Sequence, residues 1–160
     1  MSPIRTVETE IVIAAPPAVV WAVLTDGAGY AAWNPFIRAM SGPIRPGARL
    51  TISVHPAGGR AMTFRPRVLV ADPGRELRWL GRLVLPGLFD GEHSFRLVPQ
   101  GEATRLIHAE TFRGVLAWLI DTDRFRADFT AMNRALKQCV EHPGEQKNPL
   151  FRSERTPGLF

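Results

Sequence analysis

Cysteine and lysine are scarce in this sequence and a long apolar run is missing altogether, and each shortage narrows what the chain can be. Cys139 is the one cysteine in 160 residues, so a disulfide within the chain is excluded, and its place in a helical pattern reads as a reduced, partly buried apolar residue. Nothing approaches the ~18 consecutive apolar residues that span a bilayer, and the start MSPIRTVETE lacks the apolar centre of a secretion signal. The expectation is a cytoplasmic protein with no stable membrane insertion. Glycine-rich phosphate loops, nucleophile elbows and clustered cysteines are missing as well, so no cofactor is expected. Ser41, Ser53 and Ser94 have no base at a recognisable motif spacing.

Lys137 and Lys147 are the only lysines, so the net charge of +5 is carried by arginine. Arg65, Arg67, Arg78, Arg82, Arg96 and Arg105 fall at alternating positions, which in strands puts them on one side of a sheet, opposite the apolar side. That is the pattern of a solvated outer face with arginine stems lying over it. Neither a binding motif nor interleaved aromatics accompany the charge, so nucleic acid is not an expected partner. Apolar residues at 45% and charged residues at 22% are ordinary for a globular domain, and the length suffices for one core.

Residues 6–14, TVETEIVIA, alternate apolar and polar positions and predict a first strand. Pro16 and Pro17 then favour a helix start, and Val19, Val20, Val23 and Leu24 around Trp21 form a short helix that stops at Asp26-Gly27. A second short helix through Tyr30 and Trp33 ends at Asn34-Pro35. Beyond Ile37, Gly and Pro punctuate the chain about every 8 to 12 residues, predicting strands near 37–41, 48–55, 61–71, 76–84, 89–98 and 104–113. After Gly114 the period changes. Trp118, Thr122, Phe125, Phe129, Met132, Leu136 and Val140 form one stripe on a helix of about seven turns, ending near His142-Pro143. A polar tail, 143–160, follows the domain of residues 1–142; its Leu150, Phe151, Leu159 and Phe160 suit docking on a second copy, so a homodimer is one expectation.

Strand, two short helices, six strands and a long helix is an order that resembles the helix-grip domains of the START and polyketide cyclase superfamily (SRPBCC). The resemblance is carried by IVIAAPPAVVWAVLTD with YAAWNPFI, by RVLVADPGRELRWLG, by GEHSFRLVPQGEATRLIHAETFRG and by FTAMNRALKQCVE, spanning residues 6–141. The His-x-Phe-x-Leu and Leu-x-His-x-Glu-x-Phe segments look like the polyketide cyclase/dehydrase-like bacterial branch. The resemblance implies an α+β fold, a seven-stranded curved antiparallel sheet around the long C-terminal helix, with a cavity between them for a hydrophobic ligand. It does not select a reaction, since such folds serve carriers, sensors, chaperone cofactors and enzymes.

Turn residues at 99–101 make a hairpin of the last two strands. Alternation then gives one face to His93, Phe95 and Leu97 and to Leu106, His108, Glu110 and Phe112. With Leu97 opposite Leu106, Phe95 falls opposite His108 and His93 opposite Glu110, with opposed Cβ atoms ~4.5 to 5.5 Å apart. An inward carboxylate must be paired or hydrogen-bonded, and histidine suits it because it can donate or accept a proton near neutral pH. Such a pair can close the end of the sheet, anchor a ligand, or act as general acid and base. His93, Glu110 and His108 are the catalytic candidates. The same three have the residue types of a two-histidine, one-carboxylate metal site, but interleaved Phe95 and Phe112 and the spread along the strands argue against a metal.

The concave side is expected to carry Trp33, Phe36, Phe64, Val68, Leu77, Trp79, Phe95, Phe112, Phe125, Phe129 and Met132, with Val70 opposite Leu77 and Val68 opposite Trp79. Large aromatic and Met side chains of this kind line most small-molecule sites. The leading expectation is a binder or carrier of a small lipid-like or aromatic molecule. The alternatives are a cyclase or dehydratase using the His–Glu pair in the same cavity, and a chaperone-cofactor-like interaction module.

Overall fold

The structure, a computed structural model, describes residues 2–82 and 85–145. Beyond residue 145 the tail, and with it the expected dimer contact of Leu150, Phe151, Leu159 and Phe160, lies outside the described residues. The first strand, β1 (Ile4–Ile13), leads to α1 (Pro17–Thr25), whose Pro16 cap is extended at φ −67° and ψ 155° and whose first residue is proline. A short turn of helix, α2 (Tyr30–Trp33), follows, and Asn34 ends it. Asn34 Oδ1 accepts the N–H groups of Phe36 at 2.9 Å and Ile37 at 2.8 Å, which turns the chain directly into β2 (Ile37–Ser41).

The remaining strands are β3 (Thr51–Val54), β4 (Met62–Phe64), β5 (Arg67–Asp72), β6 (Glu76–Arg82), β7 (Asp90–Gln100) and β8 (Ala103–Arg113). They form two antiparallel sheets, one of five strands in the order β1-β8-β7-β6-β5 and one of three in the order β2-β3-β4. An Arg49–Arg67 bridge connects them. The architecture is the α+β helix-grip arrangement, with eight strands where seven are expected. The extra strand arises because residues 61–71 do not run straight through: Pro66 has no N–H to give a ladder, and the two halves part there into different sheets.

The last hairpin has the expected register, with Leu97 opposite Leu106, Phe95 opposite His108 and His93 opposite Glu110. In the β5–β6 pair Val68 faces Trp79, but Val70 faces Arg78 and Ala71 faces Leu77. The register shifts between Val68 and Val70, and such a bulge moves every later residue by one place, which removes the expected Val70–Leu77 pairing.

The long helix, α3 (Thr122–Glu141), is shorter than the periodic stripe. Asp121 is extended and its carboxylate accepts the Arg124 N–H at 3.1 Å, so the helix starts after it. Trp118 therefore sits outside α3, in a separate turn at Ala117–Leu119, and is 60% exposed. Phe129, Met132, Leu136 and Val140 pack into the core. Along β1, the edge of the larger sheet, α3 also satisfies free backbone groups. Arg126 and Lys137 donate to the Glu8 and Val12 carbonyls at 2.7 and 2.8 Å, and Glu141 accepts the Ala14 N–H at 2.7 Å. The helix thus covers an edge that would otherwise be open to a second strand.

Candidate functional site

Between the smaller sheet, the ends of β6 to β8 and the start of α3 lies a cavity of about 300 Å³ with almost wholly apolar walls. Of the residues expected to line it, Phe36, Phe64, Trp79, Phe112 and Phe125 do, as do His93 and Glu110. Trp33 is half-buried and packs edge-on against Tyr30 at 5.1 Å. Val68, Leu77, Phe95, Phe129 and Met132 belong to the solid core.

Several wall residues fall outside the expected set. Ile52, Val54 and Met62 come from β3 and β4, and Ile37, Phe89 and Ile120 close other sides. Ile52 and Val54 are legible as alternate apolar positions of TISV. Their facing the same space as the last hairpin depends on how the two sheets meet. Pro56 also lines the cavity, and its turn is held on α3: the buried Asp128 carboxylate accepts the Ala57 N–H at 3.3 Å while Arg124 donates to the Ala57 carbonyl at 3.1 Å.

At one wall the apolar lining is interrupted. Glu110 Oε2 lies 3.0 Å from His93 Nδ1, and His93 Nε2 lies 2.8 Å from His108 Nε2. His108 Nδ1 in turn meets Asn133 Oδ1 at 2.8 Å, and Asn133 Nδ2 donates to Thr9 Oγ1 at 2.9 Å. Five side chains from β1, β7, β8 and α3 thus form one continuous chain of hydrogen bonds. Asn133 and Thr9 carry no motif by themselves; both are polar residues on faces whose neighbours are buried, which is the one signal that marks them.

Aromatic packing holds the imidazoles in place. His93 is stacked on Trp79, with ring centres 4.9 Å apart and planes 10° from parallel. His108 lies between Phe95, at 4.4 Å, and Phe129, at 4.0 Å. Burial in this sandwich pushes the His108 pKa well below its ordinary value, the nearby His93 adds to the effect, and the bond to Asn133 opposes it. His108, expected among the catalytic candidates, is thus a neutral link inside the wall and does not line the cavity. The Nε2 atoms of the two histidines face each other, and their Nδ1 atoms face Glu110 and Asn133. Among the described residues no group of three or more His, Cys, Asp or Glu is placed to hold a metal ion.

Gly91, on β7 beside the pair, has no side chain to fill the space where Glu110 lies: a Cβ there would be 2.6 Å from Glu110 Oε1. Glu110 Oε1 itself receives no bond from any described residue. An apolar chamber with a half-buried carboxylate, backed by a fixed imidazole, is the arrangement this fold builds. A family model described as polyketide cyclase / dehydrase and lipid transport matches residues 5–141. The chain belongs to that family.

Solved structures of similar fold accompany the family match. The Zhui aromatase/cyclase from Streptomyces sp. R1128 aligns with a TM-score of 0.62 at 22% identity, over 89% of this chain and 99% of that one. A START superfamily protein from Mycobacterium smegmatis aligns with a TM-score of 0.69 at 18% identity, covering 86% and 98%. The protein TTHA0849 from Thermus thermophilus gives 0.69 at 19% identity, covering 88% and 99%. At these identities the likeness is one of fold. No curated protein matches the chain. The polyketide cyclase/dehydrase and lipid transport family thus fixes the architecture and the broad class, hydrophobic-ligand binding or cyclase chemistry, and leaves the ligand to be argued from the cavity. Among the described residues no helix is long and apolar enough to cross a membrane.

Proposed function

We propose that this protein binds a small apolar molecule without covalent chemistry, in the cavity between the smaller sheet and α3, with Glu110 and His93 as its polar anchor. The observation that carries this reading is the combination of an apolar chamber of about 300 Å³ with one polar pair in its wall. Empty apolar cavities of ~150 Å³ accept a benzene-sized guest, so a chamber of this size suits about two fused rings or a short branched chain. Transfer of such a guest from water is favourable at roughly 25 cal/mol per Å² of apolar surface covered. The aromatic walls, Phe36, Phe112 and Phe125, pack against each other at tilted and edge-on angles and give a rigid surface on which a ring can lie.

The test is a titration with 2-methoxynaphthalene, followed by calorimetry, on the protein and on Val54→Trp, which places an indole in the chamber. Saturable binding by the parent and a loss of at least tenfold in Val54→Trp, at unchanged fold, is the expected result. Equal binding by both proteins, or none by either, overturns the reading.

A second reading, a cyclase or dehydratase, draws on the same pair, since a carboxylic acid and an imidazole sharing one proton beside a bound molecule can exchange it with that molecule. Non-covalent binding is preferred because the pair is tied into a chain of hydrogen bonds that already satisfies His93 on both nitrogens.

A further inference from the structure

The polar chain behind Glu110 admits one arrangement of hydrogens. Thr9 Oγ1 has a single hydrogen, and it is donated to the His108 carbonyl, 3.2 Å away on the paired strand. The lone pairs of Thr9 are therefore what meets the Asn133 amide nitrogen at 2.9 Å, and this turns Asn133 Oδ1 toward His108 Nδ1. A carbonyl oxygen only accepts, so His108 carries its hydrogen on Nδ1. Being neutral between two phenyl rings, His108 has a bare Nε2, and the 2.8 Å contact across to His93 requires the hydrogen of that bond to sit on His93. One place is left for a further proton: the 3.0 Å line between His93 Nδ1 and Glu110 Oε2. It lies nearer nitrogen as an ion pair or nearer oxygen as a neutral pair, and in both cases Glu110 Oε1 shows lone pairs alone.

With the other His108 tautomer the chain would behave differently. His93 would then be neutral with its hydrogen on Nδ1, and Glu110 could take a proton on Oε1 and aim it at the ligand, with no net charge buried. Thr9 and Asn133 exclude that state although neither lines the cavity. We infer that Thr9 and Asn133 are positioning residues that hold Glu110 Oε1 as an acceptor, so that the cavity selects apolar molecules ending in a hydroxyl or N–H over the same skeleton ending in an ether or ketone. This deepens the cavity reading above and rests on it for the ligand preference. The hydrogen arrangement itself stands independently.

Two measurements on the full chain test it. In nitrogen-15 spectra of the histidines, His108 is expected as the Nδ1–H form. In calorimetric titrations, 2-naphthol is expected to bind about tenfold or more tighter than 2-methoxynaphthalene, the effect of one hydrogen bond to a carboxylate. Thr9→Val, which keeps the strand's shape, and Asn133→Leu are each expected to give mixed His108 tautomers and to reduce the naphthol preference by at least threefold; Thr9→Val decides the matter where Asn133→Leu does not fold. His108 protonated on Nε2 in the parent overturns the hydrogen arrangement. Equal affinity for the two naphthalenes, or an unchanged tautomer and preference in the variants, overturns the role given to Thr9 and Asn133 while the cavity reading stands. Binding of neither compound overturns the cavity reading and the ligand preference together, and the spectra still judge the hydrogen arrangement.

Discussion

Gly91 is where the polar pair is most easily broken by a single atom. A Cβ at this position would lie 2.6 Å from Glu110 Oε1, 3.7 Å from its Cδ and 3.8 Å from the Phe112 ring. The backbone of Gly91 is not in the left-handed region, so alanine meets no conformational penalty there and the clash is its only cost in the folded chain. The Glu110 carboxylate can swing away, but Oε2 is tied to His93 at 3.0 Å, and moving one oxygen moves the other. Losing this hydrogen bond to a charged group costs about 1.5 to 3 kcal/mol. Replacing glycine by alanine returns about 0.4 to 1 kcal/mol by restricting the unfolded chain. Gly91→Ala should therefore destabilise by about 1 to 2 kcal/mol, a fall in melting temperature of about 2 to 8 °C for a chain of this size. Urea unfolding of the parent, Gly91→Ala, Glu110→Ala and the double variant completes a cycle. If the pair is what Gly91 protects, the substitution is nearly neutral once Glu110 is alanine. A cost of the same size in both backgrounds would refute the reasoning and assign it to packing against Phe112.

Glu110→Gln separates carrier from catalyst: a carrier keeps its apolar ligand within a few-fold by calorimetry, whereas a proton-transfer enzyme loses about 10² to 10⁴ in rate. Phe129→Ala removes a fully buried ring that stacks on His108, so a loss of about 3 to 5 kcal/mol is expected in urea unfolding, with exposure of His108 to solvent exchange. The depressed His108 pKa, caused first by burial and then by His93, makes stability depend on pH. Below its ordinary value near 6.5 the unfolded chain binds a proton that the folded chain does not, so this stabilisation is complete above that pH and is lost on acidification. The slope is up to about 1.4 kcal/mol per pH unit, and it should be shallower in His108→Phe. Equal slopes for the two proteins between pH 6.5 and 5 would count against a neutral His108.

Much of the architecture follows from local chemistry. Alternation in residues 89–98 and 104–113, joined by turn residues, fixes the register of β7 and β8, because a slip of one residue would turn every apolar side chain outward. That is why His93 and Glu110 can be paired from the sequence. The bulge after Val68 and the division at Pro66 are small departures from regular pleating that the pattern of apolar residues does not record, since a one-residue register shift and a missing N–H leave that pattern unchanged. The start of α3 departs from the periodic pattern for a related reason: the apolar period continues past the Asp121 cap to Trp118, and periodicity does not see a cap.

The sequence by itself therefore determined the order of elements, the hairpin register and the inward imidazole and carboxylate, all of which depend on neighbours along the chain or across one tight turn. The tertiary structure alone decided which apolar residues fill the core and which surround the chamber. Phe129 and Phe125 share a helix face, yet the first packs on His108 and the second lines open space. It also decided that Asn133 and Thr9 complete the polar chain. Those contacts join residues 124 positions apart, and they exist because α3 lies along the β1 edge, a placement that burial of the whole core imposes and no local pattern encodes.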